Sequence, residues 1–444
     1  MNQLSMQTKL KMKNNYQKFL IICFYLLSLN SYAQIGQDEF VYGDQLPDAP
    51  LLSKRGVHKV GVRTLLIHNS NQLDILNSTQ DNDVFYDRPL KVEVWYPAVL
   101  NEDDQEKEVY DEVMGNHNDP KRPLISFQFK GRAKRGAQIK QTENPYPLLI
   151  TSHGYTGSRL MFSYLTEQLA SQGYIVVSID HTDSTFRDAG PFISTLLNRS
   201  LDDLFVLDEM DKLNKDSGTF LFNLVDVNNT AIIGYSLGGY GALNVAGAGY
   251  SAQAVQLFKG FTRGRMDLEQ RMIGNPIYEA TFDSRIKAIV AMAPWGMENG
   301  VWDKQGLLGL KIPTFFISGS MDDISGYEEG IKAIYKGALN TERYLLTYIN
   351  ARHNIAPNPP PVDALQEGLH IDEYLRYADS VWDQRRINNI NQHFISAFLG
   401  LKLKDEESNL KYLDASSFSD KEPWEGFLPR TSIGLKLDYQ SGRD

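Results

Sequence analysis

The sequence predicts an α/β fold, a doubly wound and mostly parallel sheet with helices on both faces. Three observations carry this. Short apolar runs recur from Leu148 onward, continuous rather than alternating, as strands buried on both faces require. Segments with helical apolar spacing alternate with them. One run ends in a glycine-flanked serine and opens directly into a small-residue helix.

The chain has 444 residues and begins with a segment that reads as a leader. Lys9, Lys11, Lys13 and Lys18 form a positive region without an acid, Phe19 to Leu29 is a short apolar run, and Ser31-Tyr32-Ala33 puts small residues before Gln34. That pattern predicts a signal peptide over residues 1–33 and a secreted protein, periplasmic or extracellular. The run is far short of the roughly 20 residues of a membrane span, and no later run is long enough for one. Ile22 before Cys23 argues against a lipid-anchored cysteine. Cys23 is the sole cysteine, so the processed chain has no disulfide, thiolate metal site or cysteine nucleophile. The whole chain carries a formal charge of −10, and loss of the four leader lysines takes it to −14, which disfavours a nucleic-acid partner.

Residues 34–86 read as a loop-rich N-terminal extension, 87–400 as the main domain and 401–444 as a tail. Lys91 to Tyr96 alternates and ends at Pro97, as an outer strand does. Asn101 to Glu108 is a charge run expected to be a solvated loop. Arg132, Lys134, Arg135 and Lys140 form a basic stretch, either a solvated face or a contact for an anionic substrate. Strands are expected at 148–152, 174–179, 230–234, 286–292, 312–317 and 343–349. Helices are expected at 158–171, 201–213 and 387–399, with an insertion at about 251–285 in which Leu257 to Phe282 forms a small cap.

The strongest chemical signal is Gly234-Tyr235-Ser236-Leu237-Gly238. A nucleophilic serine on a strand-to-helix turn needs a backbone that tolerates little bulk nearby, hence the glycines. The helix that follows aims its positive end at developing negative charge. The apolar strand before the motif and the helix after it supply the context the motif requires. A serine so placed needs a base later in the chain, in the order serine, acid, histidine. His353, His370 and His393 follow Ser236; His393 falls inside the closing helix and His370 in a polar segment with no strand before it. His353 comes directly after the last core strand and is the expected base. The acid is expected just past the preceding strand, where Asp322 and Asp323 are adjacent; Asp322 is preferred, and spacing alone does not separate the two. Oxyanion donors are expected from the N–H of Leu237 and from the loop His153 to Gly157, through the N–H of Tyr155. His153 then has a structural role. No metal or cofactor is called for.

Together these residues resemble the α/β-hydrolases, in the branch of dienelactone hydrolases and platelet-activating-factor acetylhydrolases. The likeness spans about residues 87 to 400. It rests on VWYP at Val94–Pro97, GRAKR at Gly131–Arg135, PYPLLITSHG at Pro145–Gly154, DHTDS at Asp180–Ser184, IIGYSLGG at Ile232–Gly239 and ARHNIAPNP at Ala351–Pro359. It implies a metal-free esterase with Ser236, Asp322 and His353 as its triad. A second likeness, to cutinase-like polyesterases, rests on Ala293-Pro294-Trp295 and Asp322-Asp323-Ile324. It implies a substrate-clamping role for Trp295 and favours Asp322 over Asp323. The absence of cysteine departs from both groups, from the cysteine nucleophile of the dienelactone enzymes and from the disulfide many polyesterases carry. The expected function is hydrolysis of a short-acyl ester through an acyl-enzyme. The substrate could be a small molecule, an acetylated phospholipid, an acetylated polysaccharide or a polyester. A serine peptidase and a catalytically retired binding protein are the competing readings.

Overall fold

The computed structural model describes residues 40–414, 417–419 and 424–443. The leader expected at 1–33 lies outside the described residues. β1 (Lys59–Leu73) and β2 (Phe85–Val99) form a long antiparallel hairpin. β3 (Glu108–Met114) and β4 (Ile125–Gly131) pair as a separate small sheet, and the two-residue strands β5 (Lys134–Arg135) and β6 (Gln138–Ile139) fasten onto β1 and β2. Then come β7 (Tyr146–Ser152), β8 (Ile175–Asp180), β9 (Val225–Tyr235), β10 (Ile286–Met292), β11 (Thr314–Gly319) and β12 (Arg343–Tyr348). These six lie in the order β8-β7-β9-β10-β11-β12, each parallel to its neighbours. β2 flanks β8 antiparallel. At the other side β13 (Ser417–Phe418) pairs with β14 (Leu435–Gln440), which runs antiparallel to β12.

Successive side chains of a strand point to opposite faces, and both faces here are apolar. Leu149, Val176, Ile233 and Phe315 face one side and bury against α1 (Ser163–Ser171). Leu148, Ile150, Val177 and Ile232 face the other and bury against α2 (Phe192–Lys215) and α3 (Leu237–Val245). After α4 (Ala252–Phe261) the chain returns to the first side with α5 (Gln384–Leu403), which packs Ile387, Phe394 and Phe398 into that layer. α2 starts nine residues before the expected Leu201. Its first turns bury Ile193, Leu196 and Leu197 beside polar groups, with Ser194 donating to Asp183 and Asn198 to Ser194.

From β7 the chain steps outward to β8, then crosses back to β9 on the other side of β7. The strand order therefore reverses at β7, and a crevice opens outside the carboxyl ends of β7 and β9.

Two expectations need correction. The sequence reading leaves 34–86 as loops and 401–444 as a tail, but β1 and β14 extend the main sheet beyond both ends of the 87–400 span. β1 alternates in burial from Arg63 to Ser70, yet Leu66 sits on its exposed side and Asn69 on its inner side, which erases the pattern in the sequence. The segment expected as an insertion at 251–285 does not cap the crevice. Arg271 Nε donates to Asn244 Oδ1 at 2.8 Å and Tyr278 bonds the Asn244 carbonyl. Asn244 is at the far end of α3 from Ser236, about 12 Å along the helix at 1.5 Å per residue.

Candidate active site

β9 delivers Ser236 on the sharp turn into α3. Its φ of 53° and ψ of −114° lie where a side-chain-bearing residue is strained. Surrounding contacts hold the turn: Ser236 N–H donates to Met292 O at 2.9 Å, and the Ser236 carbonyl accepts from Tyr240 N at 3.0 Å and Trp295 N at 3.1 Å. A Cβ on Gly234 would strike the Gly238 backbone, and one on Gly238 would strike the Ser152 carbonyl, so neither position admits a side chain.

The loop after β12 brings His353 to Ser236, with Nε2 3.1 Å from Oγ. The loop after β11 brings Asp322 to the other side of the ring, with His353 Nδ1 2.9 Å from Oδ2 and 3.0 Å from Oδ1. Asp322 Oδ1 also accepts from the N–H groups of Ile324 at 3.0 Å and Ser325 at 2.8 Å. Burial alone would raise the Asp322 pKa, but the hydrogen bond and charge of His353 and these amides hold it below the usual carboxylate value. Asp323 instead turns outward and pairs with Arg352. Of the two aspartates that spacing leaves open, Asp322 is the one whose carboxylate meets the imidazole.

The two passed-over histidines have other partners. His393 is buried in α5, where its Nδ1 accepts from Leu52 N at 3.1 Å and burial pushes its pKa to about 3. His370 Nδ1 accepts from Asp372 N at 3.2 Å and caps the short helix Ile371–Leu375.

The N–H of Leu237 is the first of α3 and has no acceptor within the helix. The loop after β7 is held from below. His153 Nδ1 donates to the Gly154 carbonyl at 2.6 Å, while its Nε2 accepts from His181 N at 3.3 Å. This pair of bonds fixes a neutral ring, consistent with burial and then Arg199 driving the His153 pKa well down. Because a peptide unit is planar, fixing the Gly154 carbonyl also fixes the Tyr155 N–H on the opposite side of the same plane. Ser236, His353, Gly154, Tyr155 and Thr156 line a cavity of about 260 Å³.

Trp295 is not among that cavity's lining residues. Its ring packs against Phe192 and Tyr240, with centroids 5.1 and 6.2 Å away. The basic stretch is also elsewhere: Arg132 pairs with Asp44, Lys134 with Asp104, and Arg135 with Glu93 and Glu108. Part of the cavity wall that sequence reasoning missed comes from Asp372, Leu375, Arg376 and Asp379. No motif marks these residues; a loop returning over the crevice places them.

A family model described as platelet-activating factor acetylhydrolase, isoform II, matches residues 122–193, which include β7, the His153–Gly157 loop and β8 but end before Ser236. Cutinase est1 of Thermobifida alba is 26% identical over 216 residues, 48% of this chain and 55% of that protein. Cutinase cut1 of Thermobifida fusca is 24% identical over 217 residues, 49% of this chain and 52% of that protein. The chain thus spans about half the length of the curated relatives it matches. A solved ferulic acid esterase from Streptomyces cinnamoneus is similar with a TM-score of 0.51 and 17% identity, over 79% of this chain and 92% of that one. The fold is that of the α/β-hydrolases. In α/β-hydrolases the serine follows a central strand, and the acid and histidine follow later strands in that chain order. Ser236 after β9, Asp322 after β11 and His353 after β12 occupy those positions.

Proposed function

We propose that the chain is a serine esterase that hydrolyses a carboxylic ester by two-step acyl transfer. The observation that carries the reading is the position of His353, 3.1 Å from Ser236 Oγ on one side and 2.9 Å from Asp322 on the other. His353 takes the Ser236 proton as the hydroxyl attacks the ester carbonyl. Asp322 keeps the ring oriented and stabilises its protonated form. The N–H groups of Leu237 and Tyr155 receive the oxyanion. His353 then protonates the departing alcohol, and water releases the acid by the same steps in reverse.

The similarity to proteins named as cutinases, and to a family model named for an acetylhydrolase, supports ester rather than amide cleavage. The substrate is an ester with a short acyl group. A cavity of about 260 Å³ supports this, since pockets for drug-sized ligands run from roughly 300 to 1,000 Å³. The reading includes secretion, which rests on the expected leader at 1–33. Trp295 has no part in it.

A fluorophosphonate probe on the folded protein is expected to label Ser236. Turnover of p-nitrophenyl esters is expected to fall as the acyl chain lengthens beyond about four carbons, given the cavity's size. Folded protein that takes no label and turns over no ester in the series overturns the reading.

A further inference from the structure

We propose that Arg376 is a positioning residue for the oxyanion site. It holds the loop that carries the Tyr155 N–H, and it keeps a positive charge, with no ion-pair contact among the described residues, in the wall where the oxyanion forms. This rests on the esterase reading above.

Arg376 lines the same cavity as Ser236, Tyr155 and Thr156. Its Nη1 donates to the Thr156 carbonyl at 2.7 Å and to Thr156 Oγ1 at 3.1 Å. On the other side of Tyr155, His153 holds the Gly154 carbonyl at 2.6 Å. The residue bearing the expected oxyanion donor therefore lies between two carbonyls, each tied by a side-chain donor. One tie comes from the end of β7, the other from a segment more than 200 residues later.

The charge calls for its own explanation. Arg352, in the same wall, pairs with Asp323, and Arg122 behind it pairs with Asp372 and Glu373. Among the described residues Arg376 forms no ion pair; its guanidinium carbon lies 5.4 Å from the Phe186 ring centroid, and its Nε is buried without a hydrogen-bond partner. A cation left this way costs free energy that a neutral donor would not. Tying down a carbonyl needs only an N–H, which glutamine also has. The charge gains an anion to face when the tetrahedral intermediate places negative charge on the oxygen between Leu237 and Tyr155. A fixed donor or charge aimed at that oxygen acts on the transition state rather than on bound substrate.

The test compares Arg376→Gln and Arg376→Lys with the wild type. The readouts are kcat and KM on p-nitrophenyl acetate, the inhibition constant of an alkylboronic acid and Tm. The boronic acid forms an anionic tetrahedral adduct on a reactive serine. Arg376→Gln is expected to lose about 10²-fold in kcat, as when one oxyanion donor is removed. Its KM stays within about threefold, and boronate affinity falls in parallel with kcat, the pattern of an interaction made only in the transition state. Arg376→Lys keeps the charge but lacks the planar fork, and is expected to lose about tenfold in both. A folded Arg376→Gln with kcat and boronate affinity within about twofold of wild type overturns the proposal, as does a loss that tracks Tm alone. If Arg376→Gln does not fold, Arg376→Lys decides: a matched loss in both readouts supports the proposal and wild-type values overturn it. A wild type with no turnover and no label on Ser236 removes the esterase reading itself. An active wild type beside an indifferent Arg376→Gln removes only the role of Arg376.

Discussion

Two rows of serine, histidine and aspartate run side by side through this molecule. In one, Ser236, His353 and Asp322 are linked by contacts of 3.1 and 2.9 Å, and the serine and histidine line a cavity. In the other, Ser152, His181 and Asp202 are linked by contacts of 2.8 and 3.0 Å, and none of the three is more than 1% exposed. The distances do not separate the rows; their surroundings do. Asp202 is clamped by Arg88 through Nε at 2.8 Å and Nη2 at 3.0 Å, so its charge is already compensated. Burial, and then Arg199, push the His181 pKa to about 3, so this ring does not take up a proton at neutral pH. Ser152 ends β7 fully buried, whereas Ser236 stands on a strained turn at the crevice. A base needs room for substrate and the capacity to hold a proton, and the buried row, sealed from solvent with its ring kept neutral, offers neither. The second row is scaffold: the His181 N–H fixes the His153 ring, and that ring fixes the peptide of Tyr155.

The comparison can be broken most directly at the two serines. Ser236→Ala is expected to lose at least about 10⁴-fold in kcat and all fluorophosphonate labelling. Ser152→Ala is expected to keep the label and lose about 1–2 kcal/mol of stability, the cost of one buried hydrogen bond. Labelling of Ser152, seen by peptide mapping, would undo the distinction. The two acids come next. Asp322→Asn is expected to lose about 10³–10⁴-fold in kcat, because the amide no longer holds the ring in the required tautomer. Asp323→Asn is expected to stay within about tenfold, since its partner is an exposed arginine. Equal losses in the two variants would return the assignment to the ambiguity of spacing. In the buried row, Arg88→Met leaves Asp202 without its charged partner and is expected to cost about 3–5 kcal/mol in urea unfolding. A near-native midpoint would show that row to be dispensable.

The smallest effect lies in the pH dependence of stability, where Asp322 and Asp203, a neighbour of the buried row, have opposite signs. Asp322 is held below 3.8, so its contribution is present at neutral pH and lost as pH falls through its folded value. Asp203, 3.8 Å from His181 Nε2, is pushed by burial up to about 8, above its value in the unfolded chain. Its contribution is complete only in acid and falls away as pH rises through that value. Asp203→Asn has no such proton to lose, so its Tm should drop less than the wild type's between about pH 6 and about pH 9. Parallel Tm curves would contradict this account of Asp203.

What could be read from the sequence was what local chemistry forces. A strand, a glycine-flanked serine and a helix must be contiguous for the turn to form, so Ser236 and Leu237 stand out. His353 and the pair Asp322–Asp323 follow because each comes directly after a strand of the parallel core. The choice between the aspartates was not local: it depends on which carboxylate the loop turns inward, and Arg352 takes the other. β1 was hidden because it lies towards the sheet's edge, where solvent on one side relaxes the apolar code. The insertion at 251–285 was placed over the crevice because its sequence shows an apolar helical segment but not which end of α3 it covers. Arg376 was illegible for a related reason: its partner, Thr156, is 220 residues away.

β12, whose following loop carries His353, is hydrogen-bonded on both sides, by β11 and by β14. A substitution that loosened β14 would leave Ser236, Asp322 and His353 all present in the chain. It would also turn an interior strand into a frayed border. The damage would resemble a poisoned catalyst in an assay. β14 is in this sense a lock on the histidine.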